Sequence, residues 1–380
     1  RGCVAARMPG GFCPRAARRA GRGTDRAGSA GGAPGSAASP ADSDFAAGGD
    51  ADAGPAPRRT AFVMHPSAVL HDTGWGHPEH QGRLRAVASA LKEDLVALHG
   101  RVVQAAPETA RQRDVALVHS GALVETVREA ANRARERGRP VTVDADTRVS
   151  GASWEAALGT VGAGLEAVHG VAAGRFRNAF VAARPPGHHA TPGRAMGFCL
   201  FNNIAVAAAS LRARGEAERV LIVDWDVHHG NGTQEIFYED PDVFFLSLHQ
   251  HPHYPGTGAA SETGRGRGKG ATLNVPLAAG TARSRYLDTF ARALETAVSR
   301  SAPDFVLVSS GFDVLAGDPL GGQLLEPEDL RAATRMVMEA AERCCGGRVV
   351  VFLEGGYDPV RLGHGCVAVI RELAGVETDA

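Results

Sequence analysis

Residues Val220–Gln234 read VLIVDWDVHHGNGTQ, and the fold is decided by them. The stretch opens on an unbroken apolar run, Val220 to Val223, of the kind that fills a strand buried on both faces of a parallel sheet. Asp224, Asp226 and His228 then stand at every second position. In extended backbone alternate side chains point to one side, so two carboxylates and an imidazole are aimed together. Gly230 and Gly232 end the strand and turn the chain. Charged groups aligned just past a buried strand require a compensating partner, and a divalent metal ion is the most economical one.

Similar apolar runs recur outward from this stretch. Strands are expected at Ala61–Met64, Ala179–Ala183, Val243–Leu248, Phe305–Ser309 and Val349–Leu353. Helical spacing separates them. Asn202 and Asn203 can cap an Ala-rich helix that runs to Arg214 and closes at Gly215. Leu287, Phe290, Leu294 and Val298 keep one helical face, as do Leu330, Ala333, Val337 and Cys344. Strands alternating with helices imply an α/β fold, a mostly parallel central sheet covered on both faces.

The 380 residues are 44% hydrophobic, enough to bury the core of one large domain or two ordinary ones. A formal net charge of −1 argues against bulk attraction to nucleic acid or membrane. No apolar run is long enough to span a bilayer. The cysteines (Cys3, Cys13, Cys199, Cys344, Cys345, Cys366) show no CxxC spacing and read as free thiols in a reducing compartment.

Residues 1–58 differ from the rest. Ala, Gly, Arg, Ser and Pro dominate, with little that could build a core, so a disordered leader and linker are expected before a domain at 59–376. Through Pro40 there are seven arginines and one acid, Asp25. An Arg-rich, Ser-containing, acid-poor leader suits an organellar transit peptide, for a chloroplast or mitochondrion. It suits an ordinary disordered extension of a cytoplasmic or nuclear protein equally well.

The chemistry collects at strand ends, where open α/β sheets keep their working groups. RPPGHHA, with His188 and His189, follows Ala179–Ala183; GFDVLAGDP, with Asp313, follows Phe305–Ser309; EGGYDP, with Tyr357, follows Val349–Leu353. Asp226, His228 and Asp313 supply three oxygen or nitrogen ligands and leave a coordination position for water, the pattern of a catalytic zinc. Such an ion acidifies water and polarises a carbonyl. The tandem histidines then suit proton transfer, because amide hydrolysis deprotonates water and protonates an amine. Asp224 is better spent holding His188 than as a further ligand. Tyr357 can donate its hydroxyl to the oxyanion of a tetrahedral intermediate. Taken alone, a histidine pair or a half-buried tyrosine is ordinary; four strands delivering polar groups to one edge is not.

With RPPGHHA, GFCLFNN, VDWDVHHGNGT, SGFDVLAGDPLGG and EGGY present in that order, the chain resembles the zinc-dependent histone deacetylase family of the arginase–deacetylase superfamily. The likeness runs from about Phe62 to Gly375. HDTGWGHPEH and the Asn231 of HHGNGTQ bring it nearest the class II-like group with bacterial and plant organellar members. The resemblance implies a three-layer arginase/deacetylase-like fold, with Zn2+ bound by Asp226, His228 and Asp313. It implies His189 as general base and acid, backed by Asn231 where class I members carry an aspartate, and His188 as its electrostatic support, backed by Asp224. It also implies an acyl-lysine tunnel walled by Gly197, Phe198 and Tyr254, with Asp146 anchoring the substrate backbone at the rim. A structural K+ would lie near Asp224, Asp226, His228, Leu248 and the Ser247 hydroxyl, and Arg83 would line an acetate exit. Tyr357 is not replaced by histidine, and Leu320 stands where polyamine-selective members carry an acid.

The expected reaction is therefore metal-assisted removal of acetyl groups, from acetyl-lysine in proteins or, by the same chemistry, from small acetylated amines. A non-catalytic acyl-lysine-binding scaffold has no use for a proton-transfer pair. A binuclear hydrolase would need bridging carboxylates that the sequence does not offer. His249, His251 and His253 are expected to form a polar loop at the pocket mouth, and His71 and His77 to be structural or rim-forming.

Overall fold

The computed structural model describes residues 59–74 and 76–377, so the expectations for residues 1–58 lie outside the described residues. Among the described residues ten strands are formed: β1 Thr60–Val63, β2 Val102–Ala105, β3 Val141–Thr142, β4 Arg148–Val149, β5 Asn178–Val181, β6 Val220–Asp224, β7 Val243–Gln250, β8 Thr272–Leu277, β9 Phe305–Ser310 and β10 Val349–Leu353. Eight of them make one sheet in the order β2-β1-β5-β10-β9-β6-β7-β8. Every pairing within it is parallel. β3 and β4 form a small antiparallel hairpin.

Alternation along the central strands explains the three layers. In β6, Leu221 and Val223 face a core shared with helices 82–93, 283–301, 327–345 and 359–373, whereas Val220 and Ile222 face a second core shared with helices 153–172 and 203–213. Both faces are thus covered by apolar stripes, the arrangement expected from runs such as VLIVD and VVVFL. Asn202 is the N-cap of helix 203–213, its side-chain oxygen accepting from the Ala205 amide at 3.1 Å, and Gly215 follows with φ +67°. Among the described residues no helix is long and apolar enough to cross a membrane.

The expectations missed β2 and β8, which are the two edges of the sheet. An edge strand has one neighbour and needs less apolar surface: β2 reads VVQA and is only half buried, and β8 carries Pro276, tolerated at an edge where an amide is not required. His249 is a correction. It lies inside β7 and is buried, with Nε2 held by the Gly258 carbonyl at 3.0 Å, because β7 runs two residues beyond the expected end.

Candidate active site

Strands β5, β10, β9 and β6 are neighbours, and their carboxyl ends deliver the candidate residues to one rim. Asp226 and His228 follow β6, Asp313 follows β9, His188 and His189 follow β5, and Tyr357 follows β10. One ligand atom from each of Asp226, His228 and Asp313 lies within 4.8 Å of the others, and all three residues are buried. Backbone amides hold the carboxylates: Gly355 N–H donates to Asp226 Oδ2 at 2.8 Å and Val227 N–H to Asp313 Oδ1 at 3.0 Å. Gly355 is required for this approach, since a Cβ there would run into both carboxylates.

The cluster fits a divalent cation. Asp313 Oδ2 is buried, lies 3.3 Å from His228 Nδ1 and meets no hydrogen-bond geometry, a buried acceptor that a cation would satisfy. Burial, and then the neighbouring Asp226 charge, push the Asp313 carboxyl up to about 7. Two like charges and a ring nitrogen brought this close are relieved by a positive ion between them.

The two adjacent histidines are driven apart electrostatically. His188 Nδ1 lies 3.0 Å from Asp224 Oδ2 and Nε2 3.8 Å from Asp226 Oδ1. Burial pulls its pKa down, but the Asp226 and Asp224 carboxylates outweigh this and push it up to about 10. His189 is buried with only a neutral partner, Asn231 Oδ1, 2.8 Å from Nδ1. Burial, followed by the His188 charge 4.0 Å away between ring centroids, holds it well below the usual histidine range. A charged and a neutral imidazole side by side is how one site divides acid and base roles. An amide oxygen only accepts, so His189 carries its proton on Nδ1 and leaves Nε2 as a lone pair.

A pocket of about 460 Å³ opens onto these groups and is lined by His189, His228 and Tyr357. All the expected substrate residues line it too: Asp146, Gly197, Phe198, Tyr254 and Leu320. Tyr254 packs edge-on to His189 at 5.0 Å and Phe198 edge-on to Tyr357 at 5.8 Å. Burial raises the Tyr357 hydroxyl well above its ordinary value, so it stays a donor. For the expected potassium residues, register pairs Asp224 with Ser247, and the Ser247 hydroxyl is 2.9 Å from His249 Nδ1.

His253, expected at the pocket mouth, lines the pocket beside Gln250 and stacks on His228 at 4.8 Å, with Nε2 2.9 Å from the Leu320 carbonyl. Gln250, Glu354 and Glu79 were not foreseen. Glu354, the acid of EGGY, accepts from the amides of Gly187 at 2.7 Å and His188 at 3.2 Å, and from Ser309 Oγ at 3.0 Å, fixing the turn that carries the histidine pair. Its place directly after an apolar strand was the available signal. Arg83 lies behind the pocket: Nε donates to the Gly356 carbonyl at 2.7 Å, and its guanidinium sits 5.2 Å from the Tyr357 ring centroid. Glu79 joins Arg83 at 3.0 Å to Arg184 at 2.7 Å, all three wholly buried.

The chain is similar to known proteins of one family. The histone deacetylase domain profile matches residues 77–373. The chain is 38% identical over 339 residues to the histone deacetylase-like amidohydrolase of Pseudomonas aeruginosa, covering 84% of this chain and 87% of that one. It is 38% identical over 328 residues to histone deacetylase 10, chloroplastic, of Oryza sativa subsp. japonica, covering 83% and 74%. The crystal structure of the HDA15 HD domain superposes with a TM-score of 0.77 at 37% identity, covering 83% of this chain and 88% of that one. Its three-layer α/β fold, its rim of polar groups and these relatives together make this chain a member of the histone deacetylase family, with deacetylase-type amidohydrolase activity.

Proposed function

We propose that the chain is a zinc-dependent hydrolase removing acetyl groups from acetyl-lysine in proteins, with residues 59–376 as its catalytic domain. One observation carries the reading. The ligand atoms of Asp226, His228 and Asp313 converge within 4.8 Å at a pocket that His189 and Tyr357 also line. This oxygen and nitrogen donor set suits zinc. Asp226, His228 and Asp313 would hold the cation, which would supply an acidified water and a polarised scissile carbonyl.

The remaining work falls to side chains. His189, neutral and steadied by Asn231, takes a proton on Nε2 as the amide is attacked and returns it to the departing amine. His188, kept cationic by Asp224 and Asp226, favours the negative charge that develops. Tyr357 donates its hydroxyl to the oxyanion. Gly197, Phe198 and Tyr254 hold the aliphatic stem of the lysine, and Asp146 accepts from the substrate backbone. Leu320 offers no charge to a polyamine. Potassium is proposed as a structural ion on oxygens of Asp224, Asp226, His228, Ser247 and Leu248, supported by the register that makes Asp224 and Ser247 partners. Arg83 is proposed to line the path by which acetate leaves, supported by its stacking behind Tyr357.

Organellar delivery is proposed from the seven arginines before Pro40 and from the word chloroplastic in the name of the rice relative. A reporter fused to residues 1–58 tests it, and a diffuse cytosolic signal would remove it. For the chemistry, His189→Ala should abolish turnover of an acetyl-lysine peptide while zinc content by elemental analysis is kept. Asp313→Ala should lose both. Full activity in His189→Ala would overturn the assignment of the proton-transfer group.

A further inference from the structure

The pocket mouth is assembled from two separate segments that meet through two side chains. Asp146 and Thr147 belong to the turn between β3 and β4, whereas Gly197 and Phe198 belong to the loop that precedes helix 203–213. Thr147 is wholly buried between them. The Phe198 amide, which can only donate, is 3.1 Å from Thr147 Oγ1, so the hydroxyl accepts there. Its own proton is then directed at Asp146 Oδ1, a long contact of 3.3 Å.

His77 repeats the connection from the other side. Its Nε2 is 3.0 Å from the Asp146 carbonyl, and its ring meets Phe198 edge-on at 4.7 Å. A carbonyl only accepts, so the proton is on Nε2, and Nδ1 accepts from the Glu79 amide at 3.1 Å. Thr147 and His77 are both buried, and both join the same pair of half-buried residues. Phe198 needs such support, because its φ of +68° lies in the left-handed region that bulky side chains avoid.

We propose that Thr147 and His77 are positioning residues that lock the rim carboxylate of Asp146 to the tunnel wall at Phe198, and thereby set a preference for acetyl-lysine within a peptide over free acetylated amines. The inference rests on the protein-substrate reading above. Only a peptide brings backbone amides to the rim, so only a peptide uses the orientation that Thr147 gives Asp146. A small acetylated amine reaches the wall and the base of the pocket and has nothing at the rim to be held.

The test compares Thr147→Val, which keeps shape and removes the hydroxyl, with Thr147→Ser, which keeps the hydroxyl. Each zinc-loaded protein is assayed on an acetyl-lysine peptide and on an N-acetylated alkyl monoamine. Thr147→Val should raise KM for the peptide roughly five- to tenfold, the worth of one hydrogen bond, with kcat within about twofold. Its kcat/KM for the monoamine, which meets the wall at Phe198 but not Asp146, should fall by a clearly smaller factor than the peptide's, and Thr147→Ser should return the peptide KM to near wild type. Peptide affinity measured by fluorescence anisotropy in a His189→Ala background should weaken by the same factor on adding Thr147→Val. Equal losses on both substrates, or no change on either, overturn the lock while leaving the functional reading intact. A wild-type protein that turns over the monoamine and not the peptide overturns both.

Discussion

Asn231 Oδ1 lies 2.8 Å from Nδ1 of His189, at the first residue of helix 231–237, so a neutral amide rather than a carboxylate backs the candidate base. Burial and the nearby His188 cation lower His189, and the Asp226 carboxylate and the Asn231 hydrogen bond offset only part of this. Asn231→Asp would add a charge that favours the imidazolium. The pKa of His189 should then rise, and the acidic limb of the kcat/KM–pH profile should move to higher pH by about one unit. An acidic limb that does not move would show that His189 is not the titrating base.

Tyr357→Phe keeps the ring that packs against Phe198 and Arg83 and removes only the hydroxyl. A donor aimed at a developing oxyanion acts in the transition state, so kcat should fall by about 10²–10³ with KM little altered. Steady-state kinetics on an acetyl-lysine peptide decides this, and a KM effect with unchanged kcat would assign Tyr357 to binding instead.

Glu79→Gln tests the buried charges behind the pocket. Burial raises the Glu79 carboxyl, but Arg184 and Arg83 outweigh it and bring it down to about 2. Removing the shared acid leaves two buried guanidinium groups without a counter-charge, a loss of about 3–5 kcal/mol. The melting temperature should drop by roughly 10 °C. An unchanged melting curve would mean that Arg83 and Arg184 are satisfied by backbone carbonyls alone.

Acid should destabilise the fold through buried neutral histidines. His119 accepts from the Asn202 amide at 2.8 Å through Nε2 and donates to the Thr191 carbonyl at 2.9 Å through Nδ1, so protonation breaks a made bond. Burial lowers His119 and His71 from 6.5 to about 4, in His71 against an opposing pull from Glu79. Between those values the unfolded chain binds more protons, so stability rises with pH; it is fully present above pH 6.5 and is lost as pH falls toward 4. At pH 4.5 each group should have cost about 2–3 kcal/mol. Urea unfolding from pH 7 to 4.5 measures the slope, and His119→Gln should reduce it by about one proton. A midpoint constant from pH 7 to 5 contradicts the account.

Much of the site was readable because it lies next to strands that announce themselves. VLIVD and FVLVSS are buried on both faces, so their apolar runs are continuous, and the polar residue that ends each run stands out. Asp226, His228 and Asp313 were found that way. Edge strands such as β8 carry no such run, and residues held by backbone geometry, such as Glu354 and Thr147, share no spacing with what they hold. His253 was grouped with His249 because both alternate in one segment, yet the end of β7 falls between them.

By itself the sequence determined the parallel α/β class, the buried centre of the sheet and the residue types offered as metal ligands, since hydrophobic period and strand alternation are local properties of the chain. Only the tertiary structure decided that β5, β10, β9 and β6 lie side by side, that Asp226 and Asp224 raise His188 while burial and the His188 charge lower His189, and that Thr147 and His77 tie Asp146 to Phe198. These are relations across segments dozens of residues apart, and burial and charge there depend on which groups the packed layers bring within a few ångströms.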